Sequence, residues 1–356
     1  MLKAAVIGAG YISKEHLTFL AQFPGAEAVG VCDLSPAAAA YAQSQFGVAR
    51  TYTDYRQLLD QEKPDVVHIL TPPNTHQWLA TACLEAGAHV ICEKPMTPTH
   101  GEFEELWAVA QRCDRILIEN QNYRFNWPIR DIRDLVAAGA LGEVQEVEVR
   151  IALDIRGGGR YADPNLPSPL HQLPAGIVHD FLPHMAYLLL EHLPEEGSAA
   201  AGGEYRVGAA WSNHGGGDLF KFDDLDALII AGQVHGRLRF SCHTQPDGFW
   251  VTVRGSEGYA ETDLFQPYVR CVVPRPVGKQ LTPLANHFYS GWEFMSASFK
   301  NFYRKVMQQT PYEGLHRLLE QTYTAIAQGQ PPPLTYGDMA RTSRLVETLL
   351  GEQNRI

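Results

Sequence analysis

Hydrophobic residues in the first 120 positions fall in short, nearly unbroken runs separated by amphipathic stretches. LKAAVIG (2–8), AEAVGVCD (26–33), DVVHILT (65–71), AHVICE (88–93) and RILIEN (115–120) read as strands. Helical periodicity fills the gaps at 11–22, 36–46, 54–61, 74–86 and 100–112. Strands without polar alternation are buried on both faces, as in a parallel sheet flanked by helices. Repeated β-α units joined right-handedly give a doubly wound sheet.

After a helix candidate at 127–139 the period changes. GEVQEVEVRIAL (142–153), LDALIIAGQVHGRLRFSCHT (225–244) and VTVRG (251–255) alternate polar and apolar residues. That pattern describes strands with one packed face and one face that is wet or docked on a partner. A Gly/Pro-rich stretch from Asp154 to Pro174 precedes an apolar helix at 175–192, and further helices are expected at 289–309, 313–329 and 338–352. The expectation is an α/β chain of two domains. Residues 1–125 are expected to form the doubly wound domain. Residues 126–356 are expected to form an α+β domain with a largely antiparallel open sheet and a C-terminal helix able to pack back on the first domain.

Composition narrows the class. A length of 356 residues fits two cores better than one, and 45% apolar against 19% charged residues gives enough material to bury them. The formal net charge of -11 argues against nucleic acid and against docking on an anionic membrane. No apolar run approaches the roughly 20 residues that span a bilayer. The N-terminus reads as a strand and not as a secretion signal, so a cytoplasmic location is expected. Six scattered cysteines show no metal-ligand spacing and suit reduced thiols.

Three constellations carry chemistry. In VIGAGYIS (6–13) a strand delivers Gly8-Ala9-Gly10 to the start of a helix: Gly8 for the tight turn, Gly10 for backbone approach to a pyrophosphate. Asp33 ends the second strand 23 residues beyond Gly10, near the usual ~20-residue spacing to a ribose-binding carboxylate. A carboxylate there accepts from ribose hydroxyls and repels a 2′-phosphate, which favours NAD over NADP. TPPNTH (71–76) and EKPMTP (93–98) follow later strands, at the carboxyl edge where open α/β sheets bind ligands. Lys94 lies in the second of these, before a proline that admits a cis bond. In AGIVHDFLPH (175–184), Asp180 and His184 share one helix face, and a carboxylate beside an imidazole can orient a general base. Three properly spaced metal ligands are not visible, and no metal is expected.

Together GAGYISKEH (8–16), TPPNTH, EKP and the Gly176/Asp180/His184 set resemble the Gfo/Idh/MocA family. The resemblance implies a Rossmann domain, a second domain whose open sheet makes homodimer or homotetramer contacts, and NAD(P)-linked oxidation or reduction of a carbinol in a sugar, cyclitol or related polyol. By the same similarity Lys94, Asp180 and His184 are catalytic. Gly8, Gly10, Tyr11, Ile12, Asp33, Thr71, Pro72, Asn74, His76, Glu93, Lys94 and Asn122 would line the cofactor. Departures stand beside the expected substrate pocket: Pro174-Ala175-Gly176 where the family has a run of glycines, Leu182 where it has a Gly two residues before the histidine, Pro183 inside the helix, and Tyr187 where many members carry an acid three residues after the histidine. GGGRY (157–161) is a candidate lid or pocket wall. Two other functions stay open, namely an NAD-assisted glycosidase or epimerase with no net redox, and a non-catalytic NAD- or sugar-binding regulator.

Overall fold

A computed structural model describes residues 1–156, 161–162, 169–215, 220–307 and 312–354. Two compact units emerge. The first comprises Met1–Asn122 and Tyr312–Arg344; the second comprises the described residues within Tyr123–Pro311 and Leu345–Ile356.

In the first unit β1 (Leu2–Ile7), β2 (Ala26–Cys32), β3 (Arg50–Tyr52), β4 (Val66–Ile69), β5 (His89–Cys92) and β6 (Leu117–Glu119) form a parallel sheet in the order β3-β2-β1-β4-β5-β6. The order reverses between β1 and β4, so their carboxyl ends open the crevice expected of a doubly wound sheet. Successive β1 residues serve two cores: Ala5 and Ile7 pack on one face, Ala4 and Val6 on the other. The intervening helices are α1 (Ser13–Gln22), α2 (Pro36–Phe46), α3 (Tyr55–Glu62), α4 (His76–Glu85) and α5 (His100–Arg112).

The second unit holds α6 (Trp127–Ala137), β7 (Val144–Ala152), α7 (Ile177–Leu190), β8 (Arg206–Ser212), β9 (Asp224–Ala231), β10 (Val234–Ser241), β11 (Gly248–Gly255), β12 (Tyr259–Asp263), β13 (Arg270–Val272) and α8 (Thr282–Val306). Its sheet runs β13-β12-β11-β7-β10-β9-β8. Only the β7–β10 pair is parallel; every other neighbour is antiparallel. The alternation read from sequence maps onto its faces. Val147, Val149 and Ile151 join the core with α7, whereas Glu146, Glu148 and Arg150 lie on the opposite face.

Where the sequence reading gave all of 126–356 to the second domain, Tyr312–Arg344 group with the first. The reason is burial. Helix α9 (Glu313–Gln328) places Leu315, Leu319 and Tyr323 in the core that holds Leu17 and Phe19. The last helix, α10 (Tyr336–Gly351), contributes Met339 and Ala340 to the first unit and Leu345, Val346 and Leu349 to the second.

Candidate active site

The turn after β1 uses its two glycines differently. Gly8 has φ +100°, and a Cβ there would stand 2.7 Å from the carbonyl carbon and oxygen of Leu70. Only glycine fits. A Cβ on Gly10 would meet nothing within 4 Å, so the space above it is open to a ligand. The N-cap of α1 is Ile12, whose side chain offers the first turn no acceptor. Ser13 is buried and donates to the Gly10 carbonyl at 2.6 Å, which closes the turn without a third glycine. Asp33 accepts from Ala9 N at 2.8 Å and from Ser35 N at 2.7 Å. Each carboxylate oxygen retains a second lone pair, so this brace is still able to accept from ribose hydroxyls.

The next two strand ends are tied together. Thr71 and Thr75 share a 2.6 Å hydroxyl–hydroxyl bond, with Pro72 and Asn74 exposed between them. His76 is fully buried, and its ring nitrogens face Thr71 O at 2.7 Å and Pro95 O at 2.9 Å. Burial holds its pKa below the usual histidine range. Although expected to line the cofactor, its side chain clasps the 71–76 loop to the 93–98 loop. Glu93 accepts from Asn120 Nδ2 at 2.5 Å and faces His16 Nε2 at 3.3 Å. Desolvation pushes its pKa up, but His16, Lys94 and Asn120 together bring it below the ordinary carboxylate value. The chain of contacts continues from His16 Nδ1 to His68 Nδ1 at 2.8 Å, and from His68 Nε2 to the Tyr323 hydroxyl at 2.8 Å. One tautomer set satisfies every link: His16 Nε2–H donates to Glu93, His68 Nδ1–H to His16, and Tyr323 O–H to His68. Burial keeps His68 well below its ordinary pKa, hence neutral. Lys94 follows Glu93, and its bond to Pro95 is cis. Tyr11 is exposed, and Asn122 is buried at the start of a 3-10 turn, Asn122–Phe125.

In the second unit α7 begins after Gly176 and carries Asp180 and His184 one turn apart, both half-buried. The helix runs through Pro183. A proline inside a helix costs about 3 kcal/mol. That is less than the burial of Ile177, Val178, Leu182, Met185, Leu188 and Leu189, at about 1.5–3 kcal/mol for each large side chain. His184 Nδ1 lies 2.7 Å from the hydroxyl of buried Tyr187, which also accepts from Tyr123 N at 3.2 Å. The Tyr123 ring stands edge-on to His184 at 4.8 Å and to Phe249 at 5.1 Å. Burial, then Tyr161 and Asp180, push the Tyr123 phenol up to about 12.

Among the described residues, His214, Asp224 and His243 bring two imidazoles and a carboxylate within 4.8 Å. Asp224 is paired with Arg239 through one oxygen, and His243 Nε2 stands 3.4 Å from the other.

Residues 2–121 match the GFO_IDH_MocA family, described as an oxidoreductase family with an NAD-binding Rossmann fold. Over this domain, about a third of its length, the chain is similar to the Gfo/Idh/MocA family. D-glucoside 3-dehydrogenase of Escherichia coli (strain K12) is 32% identical over 150 residues, 42% of this chain and 43% of that protein. D-apiose dehydrogenase of Paraburkholderia graminis is 31% identical over 161 residues, 45% of this chain and 43% of that protein. The chain thus aligns with less than half the length of these curated relatives. Levoglucosan dehydrogenase in complex with NADH superposes with a TM-score of 0.76 at 19% identity, covering 99% of this chain and 97% of that one, which is a likeness of fold.

By that match, residues 2–121 of the first unit are an NAD-binding Rossmann domain. It brings together Gly8, Gly10, Ile12, Asp33, Thr71, His76 and Glu93 at the carboxyl edge of its sheet. Lys94 belongs to the first unit, and Asp180 and His184 to the second. Tyr187 and Tyr123 escaped the sequence reading as site residues. The signal was the departure itself, since the position that lacks an acid supplies a hydroxyl to the same histidine. Of the GGGRY segment, residues 157–160 lie outside the described residues; the carbonyl of Tyr161 faces His171 Nε2 at 2.8 Å.

Proposed function

We propose that the protein is an NAD-dependent oxidoreductase that moves a hydride between a carbinol of a sugar, cyclitol or related polyol and nicotinamide. The observation that carries this reading is the turn at Gly8–Gly10 with Asp33. Its open cradle, uncapped helix start and fixed carboxylate match the chemistry of a dinucleotide. That D-glucoside and D-apiose dehydrogenases align with it supports the substrate class.

NAD, when bound, supplies the hydride acceptor. The residues of the chain handle the proton and the geometry. His184 is the proposed general base. With its proton on Nδ1 and donated to the Tyr187 oxygen, Nε2 presents the lone pair that takes the hydroxyl proton. Tyr187 positions the ring, and Tyr123 N–H and the Tyr123 ring hold Tyr187 and His184 in turn. Lys94 donates to the carbinol oxygen, and Asp180 completes the catalytic set beside Tyr123. Asp33 favours NAD over NADP. The protein acts in the cytoplasm as a homodimer or homotetramer. Lys94→Ala and His184→Ala are expected to lower turnover by about 10²–10⁴-fold while NADH binding, read by nicotinamide fluorescence, is retained. Near wild-type turnover in either variant would refute the assignment.

A further inference from the structure

Helix α8 has its faces reversed. The stripe turned toward the rest of the second unit is polar or small: Asn286, Ser290, Ala297, Asn301 and Arg304. Asn286 donates to Val273 O at 2.9 Å and accepts from Arg275 Nε at 2.9 Å. Ser290 accepts from Arg270 at 3.2 Å, Asn301 donates to Pro267 O at 3.0 Å, and Arg304 lies over the Trp127 ring. The opposite stripe is apolar and exposed: Phe288 (72%), Trp292 (57%), Met295, Phe299 (71%), Phe302 (69%) and Val306. A helix that met only its own unit and water would bury the second set and expose the first.

Two features define what covers this face. The first is area. Aromatic side chains bury about 150–250 Å² each, so these four expose roughly 100–170 Å² apiece. With Met295, Val306, Tyr289 and Tyr303 the patch reaches about 800 Å², the share one partner gives to a standard interface. The second is spacing. The six residues step by 4, 3, 4, 3 and 4, the 3.5-residue repeat of a coiled-coil seam. Turned antiparallel about a two-fold axis at position 297, the seam maps onto itself. Phe288 then meets the partner's Val306, Trp292 the partner's Phe302 and Met295 the partner's Phe299. Such self-complementarity is the mark of an isologous contact. A lipid surface fits less well, because Lys and Arg border the apolar stripe only at the C-terminal end of α8, at Lys300, Arg304 and Lys305, and the chain carries a net charge of -11.

We infer that the outer face of α8 packs antiparallel against α8 of a second copy of this chain. This is independent of the catalytic reading and adds a helical contact to any made by the sheet. Sedimentation equilibrium of the full chain at micromolar concentration tests it. Phe299→Glu should have half the wild-type mass, because a charge in the seam has no partner there. A crosslinking arm covers the case in which that variant fails to fold. Ser298 and its symmetry mate flank the axis, so Ser298→Cys should give a covalent dimer with a short bis-maleimide, whereas exposed Gln111→Cys should not. A monomeric wild type, equal masses for wild type and folded Phe299→Glu, or no covalent dimer from Ser298→Cys would overturn the inference.

Discussion

Replacing each glycine of the first turn by alanine separates a steric role from a ligand role. At Gly8 the added methyl would sit 2.7 Å from Leu70 backbone atoms at φ +100°. A strained positive φ costs on the order of 1–3 kcal/mol and overpacking against backbone adds roughly 1–3 kcal/mol. Gly8→Ala should therefore lose about 2–6 kcal/mol of a total stability on the order of 5–15 kcal/mol. At roughly 2–4 °C per kcal/mol for units of this size, Tm falls by about 4–24 °C. At Gly10 the methyl meets nothing within 4 Å, so stability should change by no more than about 0.5 kcal/mol. The same methyl would occupy the space proposed for the pyrophosphate, raising the Kd for NADH about 10–100-fold, or about 1.4–2.8 kcal/mol. Differential scanning fluorimetry and NADH fluorescence titration read the two effects on the same samples. A Gly10→Ala protein that binds NADH like wild type would refute the cradle, and a Gly8→Ala protein with unchanged Tm would refute the steric argument.

Further outcomes follow from other contacts. Tyr187→Phe removes the hydroxyl held between His184 Nδ1 and Tyr123 N, and should lower kcat at least about 10-fold with little change in NADH affinity; unchanged kcat would remove Tyr187 from the site. Asp33→Asn weakens the acceptor for ribose and relieves repulsion of a 2′-phosphate, so the ratio of kcat/KM for NAD over NADP should fall by about 10-fold, and a constant ratio would contradict the assignment. Burial lowers His192 to about 4 and holds His68 well below its usual value. The unfolded chain takes up these protons near pH 6.5 while the folded one stays neutral. The stabilisation is therefore complete above about pH 6.5 and declines as pH falls toward 4, by up to ~1.4 kcal/mol per pH unit per histidine. Tm measured from pH 7 to 4.5 should drop accordingly, and a flat profile would argue against neutral buried imidazoles.

How much of this was legible in the chain depended on how local the determinant was. The runs around Val6, Val31, Val67 and Val90 announced β1, β2, β4 and β5 because each is largely apolar and its central residues are buried on both faces. The edge strand β3 was missed; its three residues, Arg50–Tyr52, carry no pattern long enough to read. The alternation at 225–244 was read as one stretch, and the structure divides it into β9 and β10 on either side of Gly232. The fingerprint glycines and Asp33 were visible because their chemistry fixes their spacing. Tyr323 beside His68 was not, because 255 residues separate the partners of that hydrogen bond. Tyr187 was noticed only as a missing acid, since a hydroxyl three residues from a histidine is an ordinary helix pair until burial and Tyr123 give it a task. The aromatics from Trp292 to Tyr303 recur at helical spacing, which fits a buried face as well as an exposed one, and only their exposure on α8 decides for the outside.

The most direct test of the central claim adds NAD to the purified full-length protein and follows nicotinamide absorbance against a panel of aldoses, cyclitols and other polyols. The account predicts substrate-dependent NADH formation with at least one of them, abolished in His184→Ala and Lys94→Ala. Tight NADH binding with no net NADH formation from any member of the panel would contradict the dehydrogenase reading, and absence of NADH binding would contradict the dinucleotide site on which it rests.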